Sequence, residues 1–130
     1  MRKFITLCYF VISSSCFAQS NDFGNAISNT QNVLTDSKLR TSAINSNEKA
    51  KQVDSSINSL VGGDKGTQDE MYLISSDILN SIAGKSDDPT QLGEILIKAQ
   101  KDPEAFFNSL SDAQKKKISD ISKRIPSNKN

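Results

Sequence analysis

The chain has 130 residues, 35% of them hydrophobic and 24% charged, with 16 basic against 15 acidic side chains, two Cys, no His and no Trp. That is room for one small domain. Without His there is no His-dependent Ser or Cys nucleophile and no ordinary zinc site, which removes most hydrolase mechanisms.

Residues 1–18 read as a secretory signal peptide. Arg2 and Lys3 form a positive start, Phe4 to Ile12 is an apolar run interrupted by Thr6, and small residues stand at the third and first positions before a cut after Ala18. A membrane span needs about 20 apolar residues, and this run is roughly half that. A cut after Ser20 fits the same rule. Lipid anchoring at Cys16 is a third outcome, disfavoured because Ser13 stands where the lipoprotein pattern usually has Leu. The expected location is periplasmic or secreted. Removing residues 1–18 leaves 14 basic against 15 acidic side chains and takes away both cysteines, so the remaining domain is expected to hold by packing, without a disulfide.

From Asn25 to Val61 there is neither Gly nor Pro, and Leu39, Ala43, Ala50, Val53, Ile57 and Leu60 fall at spacings of three, four and seven. That spacing predicts a long, thin amphipathic stripe on one helix or a helix pair, kinked or split near residues 35 to 42, because Ile27 and Leu34 upstream are seven apart but out of phase with it. Gly62 and Gly63 end the segment. Thr67-Gln68-Asp69-Glu70 reads as a capping box opening the next helix, with Met71, Ile74, Ile78 and Ile82 on one face and Gly84 at its close.

Asp88-Pro89 and Asp102-Pro103 each place an N-cap before a proline at the first helical position, and Ser111 to Gln114 is a further capping signal. Leu92, Ile95, Leu96 and Ala99 line one helix, Ala105, Phe106, Phe107 and Leu110 the next, and Ile118, Ile121 and Ile125 a last helix stopped by Pro126. No segment alternates with period two long enough to be a strand. The expected fold is all-α, a small bundle of about five helices. Its organisation reads as the signal peptide over 1–18, a long amphipathic segment over 19–66, the bundle over 67–126 and a polar tail over 127–130.

The chain has no G-x-S-x-G, P-loop or G-x-G-x-x-G motif. Glu70, Glu94 and Glu104 are the glutamates of the bundle region, and Glu70 and Glu104 fall in first turns, where they complement the helix dipole. Asp64, Asp69, Asp87 and Asp88 do not match a calcium loop. No catalytic residue, metal or cofactor is expected. Lys115, Lys116, Lys117, Lys123 and Arg124 make a candidate basic surface, suited to peripheral contact with an anionic membrane, although helix cations near a C-terminus are also favoured by the dipole. Nucleic acid is not an expected partner.

Candidate partner contacts are Leu39, Ala43, Ala50, Val53, Ile57 and Leu60 on the stripe, together with Phe106 and Phe107, which point about 100° apart on a helix. The general look is similar to small periplasmic accessory factors of secretion, pilus and conjugation systems, a likeness of class that rests on no specific motif. The expected function is that of an exported, non-enzymatic helical interaction protein of the bacterial envelope, binding another envelope protein or itself through the N-terminal helix. A secreted effector or inhibitor, and then a carboxylate-dependent cell-wall enzyme, are the alternatives.

Overall fold

The computed structural model describes residues 23–85 and 88–126. The expected signal peptide over 1–18, with Cys8 and Cys16, as well as Asp87 and the tail 127–130 lie outside the described residues. Within them the chain is all-α: α1 Phe23–Thr35, α2 Ser37–Ser46, α3 Glu48–Leu60, α4 Lys65–Ala83, α5 Pro89–Lys101, α6 Pro103–Ser109 and α7 Asp112–Arg124. These are seven helices, against the five expected from the sequence. The difference comes from the N-terminal segment, where the break at Asp36 falls in the stretch expected to kink or split and a second break at Asn47 makes three helices in place of one or a pair.

Two short polar side chains make the breaks. Asp36 takes an extended conformation, and its carboxylate accepts from the backbone N–H groups of Lys38 and Leu39 at 2.8 and 3.2 Å. Asn47 does the same for Lys49 and Ala50 at 2.9 and 3.2 Å. Each side chain offers the backbone a local partner that competes with the continuing helix. Each break also resets the helical phase, so the stripe does not lie on one continuous face. Val53 and Ile57 are buried and Ala43, Ala50 and Leu60 half-buried, but Leu39 is 47% exposed. In its helix the buried residue is the neighbouring Arg40.

The turn between α3 and α4 is a Schellman motif. Gly62 and Gly63 have φ of 64° and 83°, the Gly63 N–H donates to the Asn58 carbonyl at 2.9 Å, and the Gly62 N–H donates to that of Ser59 at 3.3 Å. Gly62 meets a second constraint, because a Cβ there would lie 3.0 Å from Cγ of Pro126, just beyond α7, whereas a Cβ on Gly63 would meet nothing within 4 Å. Gly62→Ala is therefore expected to cost about 2–3 kcal/mol and Gly63→Ala about 1–2 kcal/mol, the backbone penalty alone. Urea unfolding of the two variants checks the order.

The cap of α4 also differs from the sequence expectation. Asp64 is the N-cap, accepting from the Gly66 N–H, and the buried Thr67 hydroxyl donates to the Asp64 carboxylate at 2.6 Å. Glu70 is thus free of capping duty and pairs with Arg124 of α7. The other three caps form as expected: Asp88 and Asp102 accept from the first-turn N–H groups behind their prolines, and Ser111 and Gln114 make a reciprocal capping box.

α4 is the axis of the fold, packed against α1, α3, α5 and α7. At 19 residues it is about 28 Å long and is buried on most of its circumference, through Met71, Tyr72, Ile74, Ile78, Leu79 and Ile82. Around it gather Ile27 and Leu34 of α1, Val53 and Ile57 of α3, Leu92 and Leu96 of α5, and Ile118 and Ile121 of α7. Each such side chain contributes about 1.5–3 kcal/mol on burial. Ser75 and Ser76 are buried too, and the Ser75 hydroxyl donates to the Met71 carbonyl at 2.8 Å, which keeps a small polar residue satisfied inside the core.

Candidate functional site

The densest polar constellation lies where α2, α3 and α4 meet. Arg40 is 8% exposed. Its Nη1 donates to the Leu34 carbonyl in the last turn of α1 at 2.9 Å, its Nη2 pairs with the Asp69 carboxylate, and its guanidinium carbon lies 4.3 Å from the centre of the Tyr72 ring. Behind the ring, the Tyr72 hydroxyl and the Gln68 amide donate to Oδ1 of Asp54 on α3, at 2.8 and 2.7 Å. Four helices are joined by one chain of contacts: a charged hydrogen bond, an ion pair, a cation–π stack and two bonds to a shared carboxylate.

The phenol of this cluster is held protonated. Burial first, and then the hydrogen bond to Asp54, push the Tyr72 phenol above its usual value of 10. A phenol kept protonated is neither a nucleophile nor a base at neutral pH. The sign for stability follows. The unfolded chain loses its phenolic proton first, so this contribution is complete below pH 10 and is lost as pH rises above it. The urea midpoint of the natural chain is therefore expected to fall more between pH 9 and pH 11 than that of Tyr72→Phe, which lacks the group.

The five cations of the candidate basic surface sit on α7, and each has a carboxylate partner. Lys115 pairs with Asp112 at 3.3 Å, Lys116 with Asp120 at 2.7 Å, Lys117 with Asp77 of α4 at 2.7 Å, Lys123 with Asp120 at 3.5 Å and Arg124 with Glu70 of α4. Arg124 binds Glu70 through both oxygens, Nη1 donating to Oε1 at 3.0 Å. Hydrogen bonding from Arg124 lowers the Glu70 carboxyl, and hydrogen bonding from Lys116 lowers that of Asp120. Both lie at the surface, where salt screens such pairs. Gln114 adds two neutral ties to α4, donating to the Asp77 carbonyl at 3.2 Å and to the Ser81 hydroxyl at 2.8 Å. Lys117 and Arg124 thus fasten α7 to the axis of the fold, while Lys115, Lys116 and Lys123 pair with acids of their own helix. Sequence spacing did not show this, because the acids α7 meets on α4 lie 40 and 54 residues away.

Of the candidate partner contacts, Val53 and Ile57 belong to the core, and Phe106 and Phe107 are both half-buried against it. The large apolar side chains that stay exposed are Leu39 on α2, Leu73 on α4 and Ile97 on α5, each 47% exposed. Leu73 and Ile97 were not singled out in the sequence, since each sits among core residues of its helix. Leu73 is flanked along α4 by Asp69, Glu70 and Asp77, three acids that reach respectively to α2, α7 and α7.

Glu94 and Glu104 are exposed on α5 and α6, on different helices from Glu70. Among the described residues no group of three or more His, Cys, Asp or Glu is placed to hold a metal ion, and no helix is long and apolar enough to cross a membrane. Every buried side-chain nitrogen or oxygen among them has a hydrogen-bond partner. No family, curated protein or solved structure matches the chain.

Proposed function

We propose that the chain is an exported, non-enzymatic helical interaction protein of the bacterial envelope, an accessory or assembly factor of the kind found beside secretion, pilus and conjugation systems. The observation that carries this reading is the employment of its carboxylates. Asp36, Asp64, Asp88 and Asp102 cap helices; Asp69, Glu70 and Asp77 pair across helices; Asp54 holds Tyr72 and Gln68. Groups so engaged serve the fold and not proton transfer. What the surface offers a partner is apolar: Leu39, Leu73 and Ile97 stand out on helices that are otherwise polar outside. Leu39 is the exposed member of the predicted stripe, so the partner contact is assigned to α2 around Leu39, with the half-buried Phe106 and Phe107 as a second anchor.

The test is crosslinking in the envelope followed by mass spectrometry, beside fractionation of cells and medium. Recovery of one envelope protein, reduced at least tenfold by Leu39→Asp with the helical content unchanged, supports the reading. Recovery in the medium alone points to an effector or inhibitor that acts outside the cell. A wall-cleaving activity abolished by Glu94→Gln or Glu70→Gln would replace the proposal with the enzyme reading.

A further inference from the structure

α2 differs from its neighbours in what fastens it. α1 buries Ile27, Thr30 and Leu34, and α3 buries Val53 and Ile57, whereas the single buried side chain of α2 is Arg40. Its one large apolar residue besides Ile44, Leu39, faces solvent, and Ala43 and Ile44 are half-buried. Each end of α2 is a single extended residue, Asp36 before it and Asn47 after it, and each of these caps the helix that follows, so α2 and α3 start independently of what precedes them. The apolar helices on either side are thus anchored by the core, and the polar one between them by one guanidinium.

From this arrangement we infer that α2 is a strap, closed over α4 by Arg40 and able to open about Asp36 and Asn47 while α1 and α3 stay packed. Opening withdraws the guanidinium from the Leu34 carbonyl, the Asp69 carboxylate and the Tyr72 ring together, because all three partners lie on α1 or α4 and none moves with α2. It uncovers the Tyr72 ring and frees the half-exposed Asp69 carboxylate from its ion pair, an acidic and aromatic surface on α4. A helix of ten residues released from its packing is too short to persist in water, so the open strap loses its backbone hydrogen bonds. That makes opening visible to hydrogen exchange.

Native-state amide exchange of the full chain, resolved by fragment, separates the strap from its neighbours. Peptides within 37–46 are expected to show at least tenfold less protection than those within 23–35 and 48–60, by an opening that denaturant barely accelerates. Equal protection across the three helices overturns the inference. In Arg40→Ala, exchange within 37–46 is expected to rise about 10- to 100-fold, the range for losing a charged hydrogen bond with a cation–π contact, while 48–60 and 65–83 keep their protection. A variant that loosens all three N-terminal helices together, unfolds outright, or leaves 37–46 unchanged overturns it equally.

Discussion

Leu79→Ala is expected to lower the unfolding free energy by about 3–5 kcal/mol, the full cost of truncating a completely buried leucine. Leu79 is 0% exposed and sits on the helix that touches α1, α3, α5 and α7. A cavity on that axis is walled by side chains from several helices, so no one of them can move in without leaving its own contacts. The contrast on the same helix is Leu73→Ala. With Leu73 47% exposed, that change removes little packing and is expected to stay within about 1 kcal/mol. Urea unfolding of both variants decides the point. Similar losses for the two would mean that α4 is not the axis around which the core is built.

Asp54→Ala is expected to cost about 2–4 kcal/mol, although Asp54 is only half-buried and makes no ion pair among those seen. The cost falls on its partners. The Gln68 amide and the Tyr72 hydroxyl belong to residues 3% and 4% exposed, and both donate to the same Asp54 oxygen. Removing the acceptor leaves two buried donors without one. Tyr72→Phe removes a single donor and leaves Asp54 with Gln68 and solvent, so about 1 kcal/mol is expected. The two changes share one hydrogen bond, and a double-mutant cycle should give a coupling of about 0.5–3 kcal/mol. Strict additivity would show that the hydroxyl and the carboxylate do not hold each other in solution.

Much of this fold was legible in the sequence wherever the signal was local. The two Asp-Pro starts, the Ser111 to Gln114 box and the Gly62-Gly63 turn each use residues within a few positions of one another, and each forms as read. Thr67 misled because two acceptor residues, Asp64 and Thr67, compete for the same helix start, and the earlier one takes it. The stripe breaks at Asp36, inside the stretch where a split is expected, and again at Asn47, which the periodicity does not signal, for a related reason. Asp36 and Asn47 each cap a new helix, and a periodicity counted across such a break no longer describes one face. Arg40 was invisible as a core residue because its partners lie 6, 29 and 32 positions away, on a carbonyl, a carboxylate and a ring. Lys117 and Arg124 of α7 are the same case. Their charge is plain, but their use depends on Asp77 and Glu70 of a distant helix.

The glycine turn between α3 and α4 also sets an order of events. It closes a hairpin between neighbours in the chain, while α7 reaches α4 through pairs separated by 33 to 54 residues. Longer loops lose more chain entropy on closing, so contacts within the hairpin are expected in the folding transition state and those of α7 after it. Gly62→Ala should then slow refolding, whereas Arg124→Ala should leave refolding nearly unchanged and speed unfolding. Stopped-flow chevrons of the two variants read this directly. The last helix is thus the latch that governs how long a folded molecule stays folded, and the turn governs how quickly it gets there.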